Sequence, residues 1–216
     1  HTTCRRQRQM CIRDRWSKTH FAAALKALEY GYCTRHLGVK YTKPENNEDA
    51  NVLRGYADSG FSTPRSQGCR MVWMNGAAIS YSSKRHTTTD DSTAAAELTE
   101  FYLCSCDVEG LRNLMQEVGL CQDAPTLIYQ DNQPAIQISL NRGALSKKTR
   151  AMSMRVLSVR NKIEDAKVIP VCLPTNLMTA DIGTKALDSV TFAFHRDRLC
   201  GYVQVGKDEH ITHQAK

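Results

Sequence analysis

The chain has 216 residues and carries 29 Lys and Arg against 22 Asp and Glu, a formal charge of +7. That length suits one well-cored domain with an appendage, or two small ones, and 41% hydrophobic with 24% charged residues is ordinary globular composition. No apolar run approaches the ~20 residues that span a bilayer and no signal-peptide pattern opens the chain, so neither membrane nor secreted placement is expected, and the expected compartment is cytoplasmic or nuclear.

The nine cysteines include no Cys-x-x-Cys pair. Their spacing suits neither a disulfide framework nor a zinc knuckle, and they read as reduced, mostly buried small hydrophobes. The positive charge is uneven: residues 1–50 net +5, and residues 140–167 hold eight Lys and Arg against Glu164 and Asp165, a local +6. A basic block on a nearly neutral domain is a solvated face or a footprint for phosphates.

Residues 1–15 hold five arginines and no apolar periodicity, so they are left as an unassigned basic arm. From Trp16 the apolar positions Phe21, Leu25, Leu28 and Tyr32 recur at helical intervals, which predicts one amphipathic helix ending near Gly38. The polar stretch 43–49 contains Pro44 and reads as a linker, so residues 16–50 are expected to be a separate helix and linker. Asn51 to Asp58 then reads as a strand ending in an aspartate. Gly68 to Met74 and Ala77 to Ser83 are strands joined by Asn75-Gly76, the strongest short hairpin signal because both positions accept positive φ. An antiparallel three-stranded meander is expected.

A long helix starts at Asp91 or Ser92 and ends at Gly119, with a predicted apolar stripe Ala94, Leu98, Phe101, Ser105, Val108, Leu111, Met115 and Val118 and with Glu97 on its flank. Thr126 to Tyr129 is a short β-branched and apolar run, an interior strand. Asp131 closes it, Asn132 can cap the next helix, and Pro134 falls in that helix's first turn. Thr149 to Asp165 predicts an amphipathic helix with Lys148, Arg155 and Lys162 seven apart beside its apolar stripe, Lys167 to Leu173 a strand, the region after it a helix with Asp181 near its start, and Ser189 to Leu199 a last helix. Residues 206–216 form a polar tail. The order implies an α/β fold with a mixed sheet flanked by helices.

Four acids stand out: Asp58 and Asp131 at strand ends, Glu97 and Asp181 near helix starts. Each has a local role open to it as a turn, dipole or capping residue. Brought together, they would be hard oxygen ligands for Mg²⁺, and two such ions can drive phosphodiester hydrolysis.

The stretches GYADSGF (55–61), GAAISYSSKRH (76–86), STAAAEL (92–98), IYQDNQPAI (128–136), KKTRAMSMRVLSVRNKIED (147–165) and LPTNLMTADIGTKAL (173–187) resemble, in order and spacing, the ribonuclease H domain of copia-type LTR retrotransposon Pol polyproteins. The helix at 20–41 resembles the tail of the reverse transcriptase thumb that precedes that domain. The resemblance implies a ribonuclease H-like mixed five-stranded sheet over residues 51–205, preceded by one separate helix. It implies Asp58, Glu97, Asp131 and Asp181 as catalytic metal ligands for two Mg²⁺ ions, with Mn²⁺ as a substitute and no small-molecule cofactor. Its implied partners are an RNA–DNA hybrid, whose RNA strand is cut during reverse transcription, and the reverse transcriptase portion of the same polyprotein. A retroelement particle is the implied setting. Lys147, Lys148, Arg150, Arg155 and Lys185 are the candidates for holding hybrid phosphates.

This sequence departs from the family pattern at Gly60 and Phe61, where Asp and Trp are usual, and at Arg150 to Leu157, which lacks two usual histidines and an acid. Those departures leave a second reading, a catalytically silent nucleic-acid-binding remnant of a decaying element. A transposase or integrase shares the sheet and acids, but the hairpin and the Glu97 helix fit the ribonuclease H order better.

Overall fold

The computed structural model describes residues 17–44, 50–141, 143 and 153–203. The basic arm, the polar tail, and Lys147, Lys148 and Arg150 lie outside them. The chain divides into two compact units between Gly38 and Val39.

In the first unit, helix α1 (Lys18–Cys33) is opened by a reciprocal cap: the Ser17 hydroxyl accepts from the His20 N–H while His20 Nδ1 accepts from the Ser17 N–H. Its apolar positions Phe21, Leu25, Leu28 and Tyr32 are exposed, and no residue of α1 is buried.

The second unit contains β1 (Arg54–Gly60), β2 (Gln67–Met74), β3 (Ala77–Arg85), α2 (Thr93–Glu117), β4 (Thr126–Gln130), α3 (Gln133–Leu140), α4 (Ser153–Glu164), β5 (Val168–Cys172), two 3-10 turns (Thr175–Leu177 and Thr179–Gly183) and α5 (Ser189–Leu199). Residues ahead of the expected linker already bond into this unit: the Lys40 N–H donates to the Cys200 carbonyl and the Thr42 N–H to the Asn75 carbonyl.

The five strands form one sheet in the order β3-β2-β1-β4-β5, with β1, β2 and β3 antiparallel and β4 and β5 parallel to β1. This is the mixed five-stranded sheet flanked by helices that the sequence leads one to expect. The meander turns where Asn75 (φ 54°) and Gly76 (φ 85°) both take the left-handed backbone that the Asn-Gly pair permits. A parallel β1/β4 pair needs a long crossover, and the 25-residue α2 supplies it.

Alternation along the strands sorts the core into two faces. Ala57, Val72 and Ile128 pack with Phe101, Cys104 and Val108 of α2 and Val159 of α4. On the other face Tyr56, Met71, Trp73 and Tyr129 pack with Leu173, Met178 and Ala180 from the segment after β5, and the Tyr56 ring stacks on Tyr129 at 4.9 Å.

Several sequence expectations shift. β1 starts three residues later than expected and continues past Asp58. The start of α2 is buried all round, from Ala95 through Phe101, because α3 and α4 cover the side away from the sheet; Ala94 is only half-buried and Val118 is 63% exposed. The segment carrying Asp181 is not an α-helix but paired 3-10 turns, interrupted by Met178 in an extended conformation (ψ 93°). Gly183 ends the second turn against the sheet, where a Cβ would collide with Cys69 Sγ. The cysteines are free thiols, but of the seven described only Cys69 and Cys104 are buried; Cys106 and Cys200 are half-buried and Cys33, Cys121 and Cys172 exposed.

Candidate metal centre

Asp58 shares the Tyr56 face of β1, the face covered by the 3-10 turns. Glu97 lies early in α2, whose Ser92 cap fixes the first turn by accepting from the Ala95 N–H. Asp131 is the first residue after β4, held there because Asn132 caps α3 by accepting from the Ala135 N–H at 3.0 Å. β4 lies beside β1 in parallel register, so both aspartates emerge at the same sheet edge.

Asp58, Glu97 and Asp131 each offer a carboxylate oxygen within 4.8 Å of the other two. Asp181 lies outside that trio, although its charge acts on Asp58 and Glu97. Its Oδ2 receives Lys185 Nζ at 2.7 Å, and its buried Oδ1 has no hydrogen-bond partner among the described residues.

Each acid has its own donor. Thr184 Oγ1 donates to Asp58, Gln130 Nε2 to the Glu97 carbonyl at 2.8 Å and to its Oε2 at 3.4 Å, and Thr175 Oγ1 to Asp131 Oδ2 at 3.0 Å. Sequence reasoning missed Gln130, Thr184 and Thr175. The available signals were adjacency, since Gln130 precedes Asp131 and Thr184 follows Asp181 by one 3-10 turn.

The electrostatics are those of crowded like charges. Burial, then the Asp181 and Asp131 charges, push the Asp58 carboxyl up to about 7 against the bond from Thr184. Burial and the charges of Asp58 and Asp131 push Glu97 up to about 9, against the donating Ser59 N–H. Carboxylates so placed favour a divalent cation, and an all-oxygen donor set suits Mg²⁺ or Mn²⁺.

Among the described residues, the basic candidates do not form one exposed stripe. Arg155 is half-buried and donates to Thr99 Oγ1 at 2.9 Å and Thr88 Oγ1 at 3.2 Å. Lys162 is buried against α2, 3.3 Å from Glu109 Oε2, with Ser105 Oγ and Cys106 Sγ each at 3.2 Å. These long side chains face α2, not solvent, because α4 packs with that edge against the helix. Lys185 belongs to the acid cluster through Asp181.

Beside the centre lies a second charged cluster that sequence reasoning does not find. His86 bonds Asp90 at 2.7 Å and Glu100 at 3.0 Å, and Arg70 joins Glu100 at 3.0 Å to Asp107. Burial opposes the His86 charge, but the bonds to Glu100 and Asp90 outweigh it and hold the imidazole above its usual pKa. Gly68 lets this cluster approach β2, since a Cβ there would meet both Glu100 and His86.

Fold and acids together give an open mixed α/β sheet with an acidic cluster at the carboxyl ends of two neighbouring strands. The sequence is similar to the retrovirus-related Pol polyprotein from transposon TNT 1-94 of Nicotiana tabacum, at 27% identity over 140 residues, 63% of this chain and 10% of that protein. The chain thus spans about a tenth of the length of that curated relative. Among solved structures it is similar to the N-terminal RNase H domain of a Mycobacterium tuberculosis protein, at 12% identity over 68% of this chain and 98% of that one, with a TM-score of 0.48. LC11-RNase H1, solved in complex with an RNA/DNA hybrid, gives 11% identity over 61% of this chain and 92% of that one, with a TM-score of 0.47. No family model matches. The chain resembles an RNase H domain of a retrotransposon Pol polyprotein.

Proposed function

We propose that this chain is the ribonuclease H domain of a copia-type retrotransposon Pol polyprotein and hydrolyses the RNA strand of RNA–DNA hybrids made during reverse transcription. The observation that carries the reading is the convergence of Asp58, Glu97 and Asp131 from β1, α2 and the end of β4. Three buried or half-buried acids gathered at one sheet edge cost folding free energy, so stability alone does not account for them.

In this reading Asp58, Glu97, Asp131 and Asp181 are the catalytic metal ligands. Two Mg²⁺ or Mn²⁺ ions held there would lower the pKa of a water and neutralise charge at the scissile phosphate. The chain's own work is orientation. Gln130 fixes the Glu97 carboxylate, Thr184 fixes Asp58 and Thr175 fixes Asp131, so the ligand oxygens are placed before substrate arrives. Lys147, Lys148 and Arg150 hold phosphates of the hybrid through salt-sensitive contacts, and 2′-hydroxyls mark the strand to be cut. The reverse transcriptase portion of the same polyprotein is the proposed neighbour, and the retroelement particle, in cytoplasm or nucleus, the setting.

The test is cleavage of an end-labelled RNA–DNA hybrid by wild type and Asp131→Asn. Cleavage that requires Mg²⁺ or Mn²⁺ and vanishes in the variant supports the proposal. Folded wild-type protein that binds the hybrid without cutting it overturns catalysis and leaves the silent binding module.

A further inference from the structure

Asp181 differs from the other three acids in one respect: a cation of the chain already holds it. The residue is 4% exposed, its Oδ2 lies 2.7 Å from Lys185 Nζ, and its Oδ1 has no hydrogen-bond partner among the described residues. The pair is built locally. The Lys185 backbone N–H donates to the Asp181 carbonyl at 3.2 Å, so the turn that presents the acid presents the ammonium with it.

The other three acids receive uncharged side-chain donors, from Thr184, Gln130 and Thr175, and their oxygens converge within 4.8 Å. Asp181 still belongs to the same field, since its charge acts on Asp58 and Glu97. One end of the centre therefore lacks a cation and the other end has one of its own.

We infer that Lys185 stands in the place of the second divalent ion: the centre takes one ion on Asp58, Glu97 and Asp131, and a second reaches Asp181 only by displacing the Lys185 ammonium. The inference rests on the metal-centre reading above and adds an order of loading to it. Displacement is open to this side chain, because 47% of it is exposed and lysine is a point charge on a flexible stem. Asp181 would pass its Oδ2 from ammonium to ion and bring its unpartnered Oδ1 into use. The freed ammonium would then be available to a phosphate of the hybrid, which would couple second-ion loading to substrate binding.

The experiment counts Mn²⁺ by calorimetry and by electron paramagnetic resonance of the free ion, without nucleic acid, on wild type, Lys185→Met and Lys185→Arg. Wild type is expected to bind one ion tightly and a second at least about tenfold more weakly, since two cations within a few ångströms repel strongly in a partly buried site. Lys185→Met should tighten the second step by about tenfold or more, and Lys185→Arg should keep the one-ion pattern. If Lys185→Met lacks the wild-type circular dichroism spectrum, Lys185→Gln is titrated in its place with the same expectation. Two equal ions in wild type, or an unchanged second step in the charge-removing variant, overturns the inference while leaving metal-dependent cleavage standing. No Mn²⁺ uptake by wild type removes both readings.

Discussion

Glu97 and Asp58 work against the stability of the metal-free fold. Their carboxyls sit at about 9 and about 7 in the folded chain, above the ordinary values of 4.5 and 3.8. Between those limits the folded protein binds more protons than the unfolded one, so stability falls as pH rises. In EDTA the melting temperature should therefore drop from pH 5 to pH 9, and millimolar Mg²⁺ or Mn²⁺ should restore more at pH 9 than at pH 5. Glu97→Gln should raise metal-free stability at pH 8 by about 1–3 kcal/mol while abolishing cleavage, measured by urea unfolding and hybrid hydrolysis. An unchanged or lower stability would show that the acids do not strain the fold. Gly68→Ala tests the neighbouring cluster: its Cβ drives into Glu100 and His86, and a loss of about 1–3 kcal/mol is expected on urea unfolding. At this scale each acid alone is ambiguous in the sequence, since a turn, dipole or capping role is open to it, and the four become legible as a set only through the resemblance to the ribonuclease H pattern. Their donors are less so: adjacency marks Gln130 and Thr184, but nothing in the sequence separates Thr175 from any other polar residue until the turns after β5 bring it alongside Asp131.

The turns after β5 do the most positioning for their length. Thr175, Asp181, Thr184 and Lys185 all come from them, and Gly183 is what lets them lie on β2. Gly183→Ala should lift this segment off Cys69, weakening Mn²⁺ binding in calorimetry while far-ultraviolet circular dichroism stays near wild type. The composition around Asp181 suggests a helix start, and a helix propensity argument cannot see that Met178 must turn inward to fill the Tyr56 face. The helix α4 misleads in the opposite way. Its heptad-spaced cations look like a solvent stripe, but Arg155 and Lys162 reach across to α2, because a sequence pattern gives the face and not what lies against it. Arg155→Ala should consequently lower the thermal midpoint yet leave the salt dependence of hybrid binding nearly unchanged, whereas loss of a true phosphate contact reduces that slope by about 1. The hairpin, the long α2 and the β4-to-α3 junction are all legible in the sequence, each from short-range chemistry: Asn-Gly, a Ser cap, an Asn cap ahead of Pro134.

The chain divides into two units, and among the described residues only the second has a core. Since no residue of α1 is buried, a chain starting at Val39 should melt within a few degrees of the full protein and retain its Mn²⁺ uptake; a large drop in either would show that the first unit supports the second. The candidate centre, by contrast, has no local origin. β1 must wait for β4 to pair beside it, and the donors to Asp58 and Asp131 arrive later still. On the ribosome, a chain that has not yet delivered the turns after β5 has its first three acids but neither the Thr175 and Thr184 donors nor Asp181. On the proposed function, a product ended before those turns holds the first three acids without the hydroxyls that orient Asp58 and Asp131, and it should leave a hybrid uncut.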